Sequence, residues 1–200
     1  MTSRIRRIRA LPFVGMGAFF VGAYGGCILK HRRCAMQFHT PLDVNAPAAA
    51  AWQVLGERFG DLSWTASIDD AHLERGDAPD VGVCRVCTSS TSFGPFPPSV
   101  VRETLTAFDP QHMTFTYVAE DGLPAFVRRA QNTWTVRPTG DGTCRIDSHA
   151  VVELAWWAMP LGLLLPLVMK RDLQTFIAEV RAAVEAPASS CVVVTHPQAA

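Results

Sequence analysis

Two charged side chains lie where their chemistry could act on a buried molecule. Glu103 falls on the apolar side of an alternating segment that also contains Leu105, and Arg85 stands in a Gly-x-x-Arg stretch upstream. A carboxylate in such a position can orient a polar group of a ligand or act as a general base. It can equally be held by a buried arginine, because a charge inside a protein needs a partner or hydrogen bonds. Arg85 is the expected partner of Glu103, or else an anchor for a ligand.

Aromatic side chains could supply the flat apolar surface that a hydrophobic ligand needs. Trp64, Phe115, Tyr117 and Trp134 are each able to stack on such a molecule. An aromatic residue in a strand more often belongs to the core. In a fold that encloses a cavity the two roles overlap, so all four residues are candidates for contact with a ligand.

Further polar residues lie on predicted strands. Arg128 and Asn132 are spaced to share the face of Trp134, and Arg128 is also expected to be solvated at the mouth of its strand. Asp147 and His149 could form an acid/base pair. Alternation places both on the polar side of their strand, however, so we expect them to face solvent.

The sequence contains no established catalytic or metal-binding motif. A nucleophile elbow, a His-Glu-x-x-His motif, a phosphate loop and a dinucleotide fingerprint are all missing from it. Cys84 and Cys87 lie three positions apart on a predicted strand, so their side chains should point to opposite faces. With no second pair of thiols, zinc would lack ligands. We therefore expect no metal and no cofactor, and we assign no catalytic residue.

The composition is that of one packed domain with extra sequence. The chain has 200 residues, 48% of them hydrophobic, and its 18 basic residues balance 18 acidic ones. This balance argues against a nucleic-acid partner, which would require a basic surface. The six cysteines show no repeating spacing. We therefore expect the thiols to be free, in a reducing compartment, and hence the protein to be cytoplasmic.

Alternation of apolar and polar residues predicts a strand, a short helical pair and six further strands. Asn45 is expected to cap the first short helix, with Pro47 in its first turn. On one later strand, Glu103, Leu105 and Ala107 are expected to share a face. Hairpin turns between the last strands indicate an antiparallel meander. The predicted strands cover residues 38–44, 67–73, 81–89, 101–107, 113–117, 128–136 and 143–153.

A long helix is predicted over Met159–Glu185, with Pro160 near its start. Its second half carries apolar residues at spacings of three and four, which is typical of a helix packed on a core. Its first half, together with the residues just before it (156–169), is apolar all round. Such a segment suits a helix end that covers a cavity mouth or dips into a membrane surface. The apolar stripe of the second half consists of Leu173, Phe176, Ile177, Val180 and Val184.

The two ends differ from the predicted domain at residues 37–186. Residues 1–36 contain four arginines, then an uncharged run at 10–29 that is about long enough to cross a bilayer, then three more basic residues. This segment is expected to be a membrane anchor, or to lie ahead of a natural start at Met36. Residues 187–200 are predicted to be a flexible tail.

Several stretches of the sequence resemble the START-like (SRPBCC) superfamily, and in particular its polyketide cyclase/dehydrase and lipid-transport proteins. Their order and spacing extend over residues 37–185. The resemblance implies an α+β helix-grip fold, in which a curved seven-stranded antiparallel sheet surrounds a long C-terminal helix and an apolar cavity, with two short helices after the first strand. The stretches are residues 47–55, 59–64, 81–85, 102–105 with Asp109 after them, Tyr117, and 173–185.

The resemblance implies the fold better than the function, because the superfamily includes carriers, sensors and aromatase/cyclases. In the plant abscisic-acid receptors, the acidic residue of a similar Glu-x-Leu motif faces the ligand, which implies a lining role for Glu103. We predict that the protein sequesters or carries a hydrophobic small molecule, such as a lipid or a polyketide-like compound. The predicted ligand-binding residues are Trp64, Arg85, Glu103, Leu105, Phe115, Tyr117, Asn132, Trp134 and Phe176.

The alternative is an enzyme of the cyclase/aromatase kind, in which Glu103, Arg85 or Tyr117 moves protons. An almost wholly apolar cavity would favour carrying, whereas two or more convergent titratable groups would favour catalysis. For the binding function, residues 90–99, which contain three prolines and a glycine, are expected to form a lid and the last helix a second gate.

Overall fold

One seven-stranded antiparallel sheet organises the protein. The computed structural model describes residues 34–89 and 99–186. The strand order is β1-β7-β6-β5-β4-β3-β2, so β2 to β7 form a meander and β1 pairs with β7. This confirms the predicted number of strands and their antiparallel arrangement. The strands are β1 (Cys34–Val44), β2 (Asp70–Arg75), β3 (Cys84–Ser89), β4 (Ser99–Asp109), β5 (Thr114–Asp121), β6 (Val127–Gly140) and β7 (Thr143–Leu154).

Two helical segments complete the fold. The short helix α1 (Ala48–Trp52) continues into a π-helical turn (Gln53–Glu57), and both lie between β1 and β2. A 3-10 turn (Trp156–Ala158) leads from β7 into the long helix α2 (Met159–Glu185). The bounds of α2 match the predicted helix, because proline at its second position is compatible with a helical start.

The start of α1 differs from the prediction. Pro47, not Asn45, occupies the N-cap position, and no side chain caps the helix. The backbone N–H of Asn45 instead donates to the Glu185 carboxylate at 2.8 Å, which ties the end of α2 to the end of β1. The following turn requires a glycine at position 56, since a Cβ there would lie 2.7 Å from the Trp52 ring.

The core lies between one face of the sheet and the helices. Val180 and Val184 of α2 are buried in it, and Phe176 and Ile177 pack against it. These four residues belong to the apolar stripe predicted from the sequence, and their burial explains why this half of α2 is amphipathic. We call the sheet face that points to this core the inner face, and the opposite one the outer face.

A β-bulge changes which β4 residues face inward. The register of β4 against β5 shifts between Leu105 and Ala107. Leu105 is buried, Ala107 is exposed, and Phe108 packs against the core with its ring 5.4 Å from that of Trp52. The predicted inward position of Ala107 is therefore wrong, because the extra residue of the bulge reverses the alternation.

A second irregularity separates Arg128 from the other inner-face candidates. The register of β6 against β7 shifts between Val127 and Arg129. Val127 is buried and Arg128 is exposed. The predicted shared face of Arg128 with Asn132 and Trp134 is therefore wrong. The alternative interpretation, that Arg128 is solvated at the mouth of its strand, agrees with its exposure.

Some predictions lie outside the described residues. These are the N-terminal segment up to residue 33, including the run at 10–29, the lid except for its last residue, Ser99, which begins β4, and the tail at 187–200. Among the described residues, no helix is long and apolar enough to span a membrane.

Candidate functional site

A buried ion pair lies on the inner face where β3 runs beside β4. Arg85 and Glu103 are direct neighbours in the β3–β4 ladder. Both Nε and Nη2 of Arg85 lie 2.6 Å from Oε2 of Glu103. The side chains are only 7% and 16% exposed, respectively. The geometry confirms Arg85 as the partner of Glu103, and bonding of this kind is what allows a charge to be buried.

Two aromatic rings and a carbonyl hold the other side of the Arg85 guanidinium. The Phe59 and Tyr117 rings lie 4.1 and 5.0 Å from its central carbon, within cation–π range. Nη1 of Arg85 donates to the Phe59 carbonyl at 2.7 Å. Burial is the largest single influence and disfavours the charged guanidinium, but the neighbouring groups, led by the Glu103 carboxylate, together hold the pKa of Arg85 above its ordinary value. Arg85 is therefore a fixed cation in the core.

Two weaker acids lie beside this ion pair. Burial, together with the negative charge of Glu103, raises the pKa of the Cys87 thiol to about 12 and that of the Tyr117 phenol to about 12. The Cys87 thiol lies 3.7 Å from Glu103 Oε2 and can donate to it. Both groups are therefore protonated at neutral pH, and they can act as hydrogen-bond donors there.

A row of polar groups continues from Tyr117 across the inner face. Asn132 Nδ2 donates a long hydrogen bond of 3.4 Å to the Tyr117 hydroxyl, and Ser148 Oγ donates to Asn132 Oδ1 at 3.0 Å. The three residues come from β5, β6 and β7, which are adjacent strands. We call Tyr117, Asn132 and Ser148 the polar row. These hydroxyl and amide groups can form hydrogen bonds on an inner face that is otherwise largely apolar.

An aromatic group lies between the sheet and α2. The ring of Phe176 is 5.7 Å from that of Trp64 and 6.3 Å from that of Trp134. The Trp64 indole Nε1–H is buried and has no hydrogen-bond acceptor among the described residues. Buried donors are nearly always paired in folded proteins, so this one requires an explanation.

The loop that contains Trp64 is attached to α2 by a hydrogen bond. Oγ1 of the buried Thr65 donates to Oε2 of Glu179 at 2.5 Å, and it also accepts the backbone N–H of Ser67 at 3.2 Å. The neighbouring Trp64 is thereby held against Phe176. The loop and the helix thus form one wall of the candidate site, and the sheet forms the other.

The structure brings most of the predicted residues together in two connected groups. Arg85, Glu103 and Tyr117 form one, with Asn132 bonded to Tyr117, and Trp64, Trp134 and Phe176 form the other. Leu105 is 1% exposed and belongs to the core. Phe115 is also buried in the core, with its ring 6.3 Å from that of Tyr117.

Sequence reasoning missed Phe59, Cys87 and Ser148. Phe59 contributes a backbone carbonyl and a ring to the Arg85 pocket, and only its position next to Gly60 in the family-like stretch could have indicated a role. Cys87 follows Arg85 by two positions, so strand alternation places both on one face. Ser148 precedes His149, and the same alternation turns it inward.

The remaining polar candidates lie away from this site. Asp147 accepts hydrogen bonds from Arg137 at 3.0 Å and from His39 at 3.2 Å on the outer face, and His149 is exposed. Cys84 lies 3.9 Å from Glu74, on the outer face, whereas Cys87 points inward. The predicted opposite orientations of the two thiols are therefore confirmed.

The fold is shared with solved structures of low sequence identity. Truncated norcoclaurine synthase from Thalictrum flavum matches with a TM-score of 0.60 and 22% identity, covering 80% of this chain and 99% of that one. Ara h 8.0201 matches with a TM-score of 0.58 and 15% identity, covering 75% and 97%. TTHA0849 from Thermus thermophilus matches with a TM-score of 0.59 and 13% identity, covering 74% and 96%. At these identities the matches establish the helix-grip fold alone.

The sequence itself matches one protein family. No match was found among curated proteins. The profile of the family described as polyketide cyclase/dehydrase and lipid transport matches residues 36–185. This range includes every strand and helix that forms the candidate site, and it confirms the resemblance to the SRPBCC superfamily. The chain therefore belongs to the polyketide cyclase/dehydrase and lipid transport family.

Proposed function

We propose that this protein binds a hydrophobic small molecule bearing a polar group, between the inner face of the sheet and α2. The unpaired, buried indole N–H of Trp64 is the observation that carries the proposal. An acceptor atom on a ligand would satisfy this donor, which otherwise costs the protein about 1–3 kcal/mol. The surrounding rings of Trp134 and Phe176 would cover the apolar part of the same molecule.

The polar row supports the idea that the ligand has a defined orientation. Tyr117, Asn132 and Ser148 offer hydroxyl and amide groups in an otherwise apolar environment. Binding sites for small molecules commonly combine apolar walls with a few placed polar groups. Burial of the ligand would supply about 25 cal/mol for each Å² of apolar surface removed from water, and the polar row would select the ligand.

A cytoplasmic location is part of this proposal. Cys84, Cys87 and Cys144 are free and buried. Unpaired thiols are typical of proteins in a reducing compartment. Immunodetection in fractionated cells tests the location.

Catalysis is the second candidate function. Titratable groups do converge on the inner face, since Glu103 pairs with Arg85, Cys87 lies against Glu103, and the Tyr117 ring lies close to Arg85. A synthase in complex with dopamine and hydroxybenzaldehyde shares the fold at 17% identity. However, Glu103 is held by Arg85, and Tyr117 and Cys87 keep their protons at neutral pH. None of these three groups is a free general base, so carrying is the function that the described part of the chain supports better.

Native mass spectrometry of the purified full-length chain tests the leading proposal. We expect a population whose mass exceeds that of the chain by one small molecule. Asn132→Leu should lower this population, because it removes the centre of the polar row. The matched control is Thr133→Val, which alters the adjacent outer-face residue and should leave the population unchanged.

Two outcomes would count against ligand binding at this site. One is the absence of any bound molecule both after purification and after incubation with lipid extracts. The other is an equal loss of the bound population in both variants. Glu103→Gln separates the two candidate functions: a carrier should bind only modestly more weakly, whereas an enzyme should lose turnover of its bound compound while still binding it.

A further inference from the structure

Exposed apolar side chains are concentrated at the start of α2. Among the described residues, six large hydrophobic side chains are exposed, and four of them lie between positions 156 and 167. Trp156 is 71% exposed, Trp157 54%, Leu164 56% and Leu167 74%. A cluster of exposed large apolar residues, with two adjacent tryptophans, marks an interaction surface more often than chance exposure.

The exposed side of α2 changes character along the helix. Pro160, Leu164 and Leu167 are exposed at spacings of four and three, which places them on one stripe. The exposed residues that follow on this side are the cations Lys170 and Arg171, and beyond them come two polar residues and two alanines. An apolar stripe that ends in cations resembles the lipid-facing side of an interfacial helix, with the cations at headgroup level.

The chain also enters the sheet at this same place. Cys34, the first residue of β1, pairs with Leu154, only two positions before Trp156. Lys30, Arg32 and Arg33 directly precede Cys34, and the uncharged run of residues 10–29 precedes them. The sequence ahead of β1 thus contains a bilayer-length apolar run and a basic cluster, and β1 itself begins opposite Leu154, next to the exposed tryptophans.

A further cation lies at this edge of the sheet. Val127, at the start of β6, also pairs with Leu154, and the exposed Arg128 follows it. Basic residues beside an apolar surface are attracted to the negative charge of anionic lipids. A second copy of this chain would present the same cations to itself, and like charges would oppose that contact.

We propose that Trp156, Trp157, Pro160, Leu164 and Leu167 form a surface that docks on an anionic lipid bilayer. The two indole rings would lie at the headgroup level, which tryptophan prefers. Lys170, Arg171 and Arg128 would contact lipid phosphates. This docking is independent of ligand binding inside the domain, and either function could exist without the other.

Quenching by brominated lipid tests the proposal on the full-length chain. Vesicles would consist of equal parts of brominated phosphatidylcholine and phosphatidylserine. We expect the fluorescence of the wild type to be quenched, and the double variant Trp156→Ser/Trp157→Ser, which retains only the three other tryptophans, to lose that quenching. Partitioning of the double variant onto the vesicles should also fall about tenfold or more, because two large apolar side chains no longer enter the interface.

Val81→Ser/Val100→Ser is the matched control, since both valines are exposed on other parts of the domain. It should bind and be quenched like the wild type. Replacing phosphatidylserine by phosphatidylcholine should weaken the binding of the wild type, because the cations then lose their partners.

Two results would overturn the proposal. In the first, the wild type sediments with vesicles but Trp156 and Trp157 contribute no quenching, which would mean that residues 10–29 bind alone. In the second, sedimentation velocity without vesicles gives a dimer that the double serine variant abolishes, which would mean that a second copy covers the surface.

Discussion

Two arginines on paired strands make the same kind of contact on opposite faces of the sheet. Arg85 on β3 pairs with Glu103 on the inner face, and both side chains are largely buried. Arg102 on β4, adjacent in sequence to Glu103, pairs with Glu74 and Asp121 on the outer face. There, all three side chains are more than 40% exposed.

The difference between the two clusters lies in their environment. On the outer face, water and salt compete with each contact, so the ion pairs contribute little to stability. On the inner face, water is excluded, and losing one partner leaves a buried charge uncompensated. The same chemistry therefore gives solvated ion pairs on one side and a fixed, charged element of the candidate site on the other.

The largest effect is expected from Arg85→Ala. The substitution leaves the Glu103 carboxylate without its cation and removes the bond to the Phe59 carbonyl. We expect the free energy of unfolding to fall by about 3–5 kcal/mol, measured by urea denaturation. The double variant Arg85→Ala/Glu103→Ala should lose less than the sum of the two single variants, because the pair is coupled. If Arg85→Ala lowers the free energy of unfolding no more than Arg102→Ala does, the proposed difference between the two faces is wrong.

Alkaline pH should destabilise the protein through the inner face. The pKa values of Cys87 and Tyr117 are raised to about 12, from ordinary values of 9.0 and 10.0, by burial and by Glu103. The unfolded chain therefore loses these two protons at lower pH than the folded one. The contribution of these two groups to the free energy of unfolding is therefore complete below about pH 9. It is lost as the pH rises towards 12, by at most about 1.4 kcal/mol per pH unit for each group.

Denaturation midpoints between pH 8 and 12 would measure this dependence. The variant Cys87→Ala/Tyr117→Phe should show a shallower loss than the wild type. Identical slopes for the two proteins would contradict the assignment of the raised pKa values to these groups.

A smaller effect is expected from Thr65→Val. The substitution removes the hydrogen bond to Glu179 that joins the Trp64 loop to α2, and we expect a loss of about 1–2 kcal/mol. Thr106→Val is the matched control, because the Thr106 hydroxyl is exposed on the outer face and bonds the Thr116 carbonyl at 3.3 Å. Thermal unfolding of both variants measures the difference. Equal losses would mean that burial does not distinguish the two hydrogen bonds.

The smallest effect is expected from Arg102→Ala. Its partners are solvated, so the unfolding midpoint should shift little in low salt and not detectably in high salt. Chemical denaturation at two salt concentrations measures both values. A large loss that persists in high salt would mean that the outer-face cluster has a structural role that its exposure does not indicate.

The order of the elements and the bounds of α2 could be predicted from the sequence. Apolar residues between Leu173 and Val184 recur at helical spacing. This pattern predicts the helix correctly because these are the side chains that pack on the core. The pairing of Arg85 with Glu103 followed from the need to compensate a buried charge. These features depend on local patterns or on a general cost of burial.

The inward position of Phe108 and the solvation of Arg128 could not be derived from alternation. A single extra residue in a strand reverses every position beyond it, and nothing in the local sequence fixes where the bulge falls. The role of Phe59 was equally hidden, because it depends on a backbone carbonyl, which any residue could supply. Contacts of this kind depend on tertiary packing.

The most direct test of the central claim is an NMR titration of the tryptophan indole N–H signals with anilinonaphthalene sulfonate, an apolar aromatic probe with one acidic group. If the inner face binds such molecules, the signals of Trp64 and Trp134 should shift and saturate at one probe per chain, and Asn132→Leu should weaken the response. Saturation with no change at Trp64 and Trp134, or shifts confined to the exposed Trp156 and Trp157, would contradict binding between the sheet and α2.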